Sequence, residues 1–131
     1  MNAPSVDIAD MIVADSSIAL TLGTNLFIGI EPTNPDNVVT ITDGPGWSPQ
    51  LTYTKGENYY YPTVQIRVRN RDYRTAYELA QDIMVLLHGR SHETWNGTYY
   101  SVIKALGEPA LLSWDDNRLV RFVINFDIQR R

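Results

Sequence analysis

The segment YPTVQIRVRNRDYRTAYELAQDIMVLLHG, residues 61–89, changes from one hydrophobic periodicity to another near its middle. Its first part alternates apolar with polar side chains, which predicts a strand over about 60–70 with one apolar face. Its second part places apolar side chains three and four residues apart, which predicts an amphipathic helix. Asp72 is a suitable N-cap for this helix, and Gly89 is a suitable residue for its end. We expect this strand and helix to form the centre of the fold.

The polar side of the strand carries a row of arginines in a chain whose net charge is −4. The row consists of Arg67, Arg69 and Arg71, and Arg74 follows in the first turn of the predicted helix. Arginines in such a row can contact nucleic acid, neutralise a neighbouring carboxylate face or join subunits. The segment alone leaves these three alternatives open.

The remaining elements are predicted from the same two periodicities. A helix is expected over about 6–14, with Ser5 as its N-cap. The other predicted strands are NLFIGIEP (25–32), VVTIT (38–42), YYSVIKAL (99–106), ALLSWD (110–115) and RLVRFVINFDIQ (118–129). This order predicts an α+β fold, in which helices cover one face of a largely antiparallel sheet.

The predicted core lies between the sheet and its helices, where the strand and helix periods converge. The residues assigned to it are Val64, Ile66, Val68, Tyr77, Ala80, Ile83, Leu87, Phe122, Ile124 and Phe126.

A long connection, residues 43–59, separates the second predicted strand from the third. Structureless connections of more than about 12–15 residues are uncommon inside compact domains, so we expect a projecting arm that is mobile in the free protein. The residues expected to make its contacts are Trp47, Tyr53, Lys55, Tyr59 and Tyr60. Aromatic residues beside arginines occur in single-strand-binding proteins and in protein interfaces, and this composition favours an interface.

The overall composition suits one soluble globular domain over residues 1–131, since 44% of the residues are hydrophobic and 20% are charged. No apolar run approaches the roughly 18 residues that a membrane span needs. The first ten residues carry acids where a signal peptide would carry bases, so no secretion signal is predicted. The absence of cysteine excludes disulfides and thiolate sites and fits synthesis in the cytoplasm.

Charge is distributed unevenly along the chain. Residues 1–62 contain seven acids and one base, Lys55, whereas residues 63–131 contain ten bases and eight acids. A chain with an acidic half and a mildly basic half is a candidate for head-to-tail self-association. It is a poor candidate for wrapping DNA, which normally requires a basic domain.

No motif in the sequence predicts catalysis, a cofactor or a metal site. His88 and His92 have helical spacing, but Gly89 lies between them and is expected to end the helix. Asp115 and Asp116 are interpreted as turn residues. Asn96, Gly97 and Thr98 match a glycosylation sequon. We interpret this segment as a hairpin turn instead, because the Asn-Gly pair favours the positive φ angles of a type I′ turn.

Four stretches together resemble a known family. They are TNLFIGIEPTNPDNVVTI (24–41), the DGPG turn (43–46), the segment 61–89, and YYSVIKALGEPALLSWDDNRLVRFVINFDIQRR (99–131). These stretches are similar to the minor capsid and tail terminator proteins of tailed bacteriophages. The most specific of them is the strand of the form P-x-V-Q-x-R-V-R that continues into Y-x-x-A-Y-x-L-A.

The resemblance implies a structural, non-catalytic protein of the virion that is made in the host cytoplasm. Proteins of the tail terminator kind form a ring, typically a hexamer, on the head-proximal end of the tail tube. The ring stops tube growth and joins the tail to the head–tail connector at the neck, while genomic DNA passes through its lumen. The implied partners are other copies of the chain, the tail tube protein and the connector, with no membrane.

In such a ring, the arginine row can face acids of the next subunit, and the arm is expected to contact a neighbouring subunit or the tail tube. The residues expected at the contact of the arginine row are Arg67, Arg69, Arg71, Arg74, Asp7, Asp10 and Asp15. The alternative is a DNA-binding accessory module in which the four arginines of residues 67–74 contact phosphates.

Overall fold

The computed structural model describes residues 1–51 and 58–131. Its elements are α1 (Pro4–Val13), β1 (Leu26–Ile28), β2 (Val38–Trp47), β3 (Tyr61–Asn70), α2 (Tyr73–Leu87), β4 (Ser91–Trp95), β5 (Thr98–Ala105), β6 (Ala110–Trp114) and β7 (Val120–Arg130). Within these described ranges, neither helix is long and apolar enough to cross a lipid bilayer.

The seven strands form one sheet in the order β1-β2-β3-β7-β5-β4, and β6 pairs with the first half of β7. Every neighbouring pair is antiparallel except β1 and β2. Both helices contribute to a single core cluster with the apolar side of the sheet. The predicted α+β class is therefore confirmed.

The segment 61–89 folds as its two periodicities predict. Each predicted core residue is buried except Tyr77, which is half-buried and packs against the core. The carboxylate of Asp72 accepts a hydrogen bond from the backbone N–H of Thr75 at 2.9 Å and caps α2. Gly89 has a φ of 85°, as expected just after a helix end.

The first helix begins two residues earlier than predicted, and its predicted cap is wrong. Ala3 is the N-cap and makes no side-chain hydrogen bond, while Pro4 occupies the first turn, where proline fits well. The carboxylate of Asp43 on β2 accepts the backbone N–H of Ser5 at 2.9 Å and its hydroxyl at 2.7 Å. A residue 38 positions away in sequence therefore supplies the cap.

The predicted arm begins later than expected, because β2 continues through the Asp-Gly-Pro-Gly turn signal to Trp47. The register shifts between Gly44 and Trp47, where a bulge lets the strand continue past Pro45. Gly46 has a φ of 64°, and a Cβ there would lie 1.9 Å from the carbonyl oxygen of Tyr61. The connection between β2 and β3 thus starts after Trp47, and residues 52–57, including Tyr53 and Lys55, lie outside the described part of the chain.

A short strand, β4, occupies residues 91–95, which are not among the predicted strands. It pairs with β5 through a turn in which Asn96 and Gly97 have φ angles of 50° and 79°. These positive values confirm the predicted type I′ turn.

Candidate interaction surfaces

Arg69, a member of the arginine row, is bonded to the loop between β1 and β2. Arg69 is only 4% exposed, and its Nη1 donates to Oε1 of Glu31 at 3.0 Å. Its Nη2 donates to the backbone carbonyl of Pro35 at 2.7 Å, and its Nε donates to that of Asp36 at 3.0 Å. Arg69 therefore clamps this loop onto its own subunit and cannot face a partner, so its predicted place at a subunit contact is wrong.

Arg121 on β7 is the second arginine on the same carboxylate. Its Nη2 donates to Oε1 of Glu31 at 2.7 Å and lies 3.4 Å from Oδ2 of Asp115. Partial burial disfavours ionisation of Glu31, but the hydrogen bond from Arg121 and the charges of both arginines outweigh it and lower the pKa of Glu31. The hydrogen bond that Arg121 donates to Glu31 likewise raises the pKa of Arg121. This network neutralises two arginines within one subunit.

The other arginines of the row are more accessible. Nε of Arg71 donates to Oδ2 of Asp36 at 2.6 Å, although the Arg71 side chain is largely exposed. Nε of Arg67 donates to Oε1 of Gln65 at 2.9 Å, and Arg74 is exposed on α2. Three of the four predicted interface arginines therefore remain available to a partner.

Asp7, one of the three acids predicted at the subunit contact, is fully buried. It accepts a hydrogen bond from Nδ2 of Asn96 at 2.7 Å and another from the hydroxyl of Tyr100. Arg130 approaches it to 3.9 Å. Burial, followed by the hydrogen bond to Asp7, raises the pKa of Tyr100. Asp7 thus joins α1 to the sheet, and its predicted place at a subunit contact is wrong.

The other two acids lie at the surface. Asp10 is half-buried and accepts a hydrogen bond from Nδ2 of Asn96 at 2.8 Å. Asp15 accepts the backbone N–H of Ser17 at 2.8 Å, and the hydrogen bonds from Ser17 lower its pKa. Both carboxylates retain access to a partner.

The β2–β3 connection presents large apolar side chains to solvent. Trp47 is 73% exposed, and Leu51 is 88% exposed. The backbone N–H of Gln50 donates to the carbonyl of Tyr59 at 2.9 Å, and the Tyr61 hydroxyl donates to Oε1 of Gln50 at 3.0 Å. The described residues on either side of 52–57 therefore face each other as a hairpin, which we call the projecting hairpin (residues 47–51 and 58–61).

The base of the projecting hairpin is tied to the end of β7. Tyr60 exchanges two backbone hydrogen bonds with Arg130, at 2.7 and 3.0 Å. The guanidinium of Arg131 lies 5.4 Å from the ring centre of Tyr59 and 5.1 Å from that of Tyr99. These contacts fix the direction in which the hairpin leaves the sheet.

A second exposed apolar surface lies between α2 and β6, and the sequence reasoning missed it. The rings of Tyr73 and Trp114 stack with centres 6.1 Å apart, and Tyr73 and Tyr77 both pack edge-on against Phe122. Beside them, an open groove of about 610 Å³ is lined by Tyr73, Arg74, Tyr77, Glu78, Gln81 and Asp82. We call this the α2 groove.

One sequence signal could have revealed the exposed side of β6. Leu111, Leu112 and Trp114 occupy adjacent and alternating positions, and all three are about half exposed. A regular strand sends neighbouring side chains to opposite faces, so a single core cannot bury all three.

The histidines take part in local hydrogen bonds. Nδ1 of His88 accepts the backbone N–H of Ala105 at 2.9 Å, and Nδ1 of His92 lies 2.6 Å from the Tyr99 hydroxyl. Glu93, beside His92, is paired with Arg90 at 3.1 Å. In the described ranges, no three His, Cys, Asp or Glu side chains are grouped as metal ligands.

Comparison with known proteins relates the chain to a protein family and to solved structures. The sequence profile of a family described as "Bacteriophage tail terminator protein" matches residues 8–131. A chain of the structure titled "Virion of native gene transfer agent (GTA) particle" is similar in fold, with a TM-score of 0.69 and 16% sequence identity. The similarity covers 98% of this chain and 94% of that chain. No functionally curated protein matches the sequence.

Proposed function

Because this chain belongs to the bacteriophage tail terminator protein family, we propose that copies of it close into a ring on the head-proximal end of a tail tube. The ring ends growth of the tube and presents the surface to which the head–tail connector binds. A hexamer is the proposed state, with genomic DNA passing through the lumen.

The observation that carries this proposal is the extent of the family match. It runs from residue 8 to residue 131 and so includes every strand, α2 and most of α1. The chain is thus a structural protein of the virion. We propose further that it acts without catalysis and that it is made in the host cytoplasm.

A ring of identical subunits needs two different surfaces on each copy, because a head-to-tail contact is not self-complementary. The accessible charges of the chain fit this requirement. The proposed contact pairs Arg67 and Arg74 of one copy with Asp10 and Asp15 of the next, and Arg71, which is exposed but paired with Asp36, lies beside them. Exposed single pairs contribute only about 0–1 kcal/mol each, so the charges chiefly set register and orientation.

The arrangement of the arginines disfavours the DNA-binding alternative. Arg69 is buried on Glu31, and Arg71 is paired with Asp36. Of the four arginines in residues 67–74, only Arg67 and Arg74 lack a carboxylate partner in the described part of the chain. Two separated arginines are a poor basis for affinity that depends on many phosphate contacts.

The proposed function is tested by assembly with tail tube protein. Purified protein added to growing tubes should limit their length, and negative-stain images should show a ring at one end of each tube. Tubes that grow equally long with and without the protein would contradict the proposal.

A charge reversal tests the proposed contact within the same experiment. Arg67→Glu with Arg74→Glu should reduce ring formation in sedimentation velocity while the unfolding midpoint stays unchanged, because neither side chain is buried. Arg118→Glu, an exposed arginine in the β6–β7 turn, is the matched control and should leave rings intact. A DNA-binding assay on the same samples separates the two readings: intact rings with lost DNA binding would favour the accessory module.

A further inference from the structure

We propose that the projecting hairpin of one copy docks into the α2 groove of the next copy, with Trp47 and Leu51 as its anchors. This inference rests on the proposed function, because it names the contact that holds neighbouring subunits of the ring together.

The hairpin carries the features of an anchor. Trp47 and Leu51 are among the most exposed large apolar residues of the described chain. Aromatic anchors contribute much of the energy of protein interfaces, and Trp47 is the most exposed aromatic residue of the hairpin. The hairpin is also held in place at its base, so little conformational entropy is lost when it binds.

The α2 groove carries the features of an acceptor. Its floor is formed by Tyr73 and Tyr77, whose rings are fixed against Phe122, and it extends towards the half-exposed Trp114. A rigid aromatic floor with polar walls is the usual composition of a pocket that receives an anchor residue.

Trp47 of the hairpin lies far from the Tyr73 end of the groove in its own copy. Trp47 pairs with Tyr61 at the first residue of β3, whereas Tyr73 follows just after the last residue of β3, Asn70. At about 3.3 Å per residue, these nine steps separate the two features by roughly 30 Å. A Trp47 side chain that packs on Tyr73 is therefore that of another copy.

Charge favours a second copy as the occupant of the groove. Arg131 is exposed beside the base of the hairpin, where it lies over Tyr59 and Tyr99. Glu78 and Asp82 are exposed on the wall of the groove, and Arg74 is the one cation among its lining residues, so the lining carries a net negative charge. A hairpin that enters the groove brings this positive charge towards the two carboxylates, and the opposite surfaces lie on one chain, as a head-to-tail ring requires.

The natural absence of cysteine allows a direct test by cross-linking. Leu51→Cys places a thiol on the hairpin, and Gln81→Cys places one in the groove without removing a charge. Mixing the two single variants with a short bifunctional maleimide should give a covalent dimer on a denaturing gel. Each variant alone should remain a monomer on the gel.

Ile30→Cys is the matched control, because Ile30 is highly exposed in the loop on the face of the sheet opposite α2. Leu51→Cys mixed with Ile30→Cys should give no dimer. Equal cross-linking of both mixtures would overturn the inference, and so would cross-linking of Leu51→Cys only to added tail tube protein.

Imaging of the wild-type protein separates this inference from the ring itself. Closed rings without a cross-link between Leu51→Cys and Gln81→Cys would overturn the docking contact and leave the proposed function standing. The specific cross-link in open chains that never close would support the docking contact and overturn the ring. If neither rings nor cross-links form, both the docking contact and the proposed function are overturned.

Discussion

Glu31 is the acceptor that allows Arg69 to remain buried, and it holds Arg121 at the same time. Replacing it with glutamine keeps its size but removes the charge that balances both guanidinium groups. We expect Glu31→Gln to lower the free energy of unfolding by about 3 kcal/mol, since breaking a buried pair leaves an uncompensated charge. Urea unfolding at neutral pH measures this loss, and Asp116→Asn, at an exposed turn residue, is the control. A change no larger than that of the control would contradict the assignment.

The same carboxylate predicts a pH dependence of stability. Its pKa in the folded chain lies below that of an unfolded glutamate, about 4.3. The stabilisation by the ionised Glu31 carboxylate is therefore fully present above the unfolded-state pKa. It is lost as the pH falls through the lower pKa that Glu31 has in the folded chain. We expect the difference between wild type and Glu31→Gln to shrink steadily as urea titrations are repeated at lower pH. A difference that stays constant into acid would contradict this origin.

Phe122 is the residue on which two tyrosines of α2 converge, with ring centres 5.0 and 5.5 Å away. Phe122→Ala should lower the free energy of unfolding by about 3–5 kcal/mol, because it leaves a cavity between α2 and the sheet. An unfolding midpoint equal to that of wild type would count against the core assignment.

The side chains of β3 that face the core could be predicted from the sequence. Whether the side chains on its opposite face are exposed or covered could not. Alternation along β3 correctly assigned Val64, Ile66 and Val68 to the interior. It placed Arg69 on the other face, where a surface arginine was expected. The loop 31–37 covers that end of the face, and no local pattern reports a contact between residues 38 positions apart in sequence.

Among the elements, α1 depends on a cap from another strand. Asp43→Ala removes the acceptor for the N–H and hydroxyl of Ser5, and we expect a loss of about 0.5–2 kcal/mol, as for other caps. Hydrogen exchange should show the loss chiefly at the first amides of α1. Faster exchange spread evenly over the chain would indicate a different role for Asp43.

Element boundaries were predicted less well than element types, for a physical reason. Gly44, Pro45 and Gly46 normally end a strand, but a bulge accommodates them and β2 continues to Trp47. The pairing partner, Tyr61, supplies the stabilisation that the local sequence lacks. Likewise β4 has no clear strand pattern of its own and forms because the Asn-Gly turn places it beside β5.

For the whole molecule, the arrangement of charge predicts weak binding to DNA. Five of the nine arginines are ion-paired with acids within the described part of the chain, and the net charge is −4. Fluorescence anisotropy with duplex DNA should show little binding at physiological salt. An affinity that falls on the order of 10³-fold between about 50 and 200 mM salt would contradict this, because it would indicate many phosphate contacts.

The position of β7 in the sheet has a consequence for the order in which the protein folds. β7 comes after every other described strand in sequence, yet it lies between β3 and β5 and joins the β1–β2–β3 part of the sheet to the β4–β5 part. A nascent chain on the ribosome that ends before residue 120 therefore has two partial sheets with no strand between them. Such long-range pairing is slow to form and must await synthesis of residues 120–130. The sheet is therefore complete only after β7 has been synthesised, and an incomplete subunit lacks the finished sheet that assembly requires.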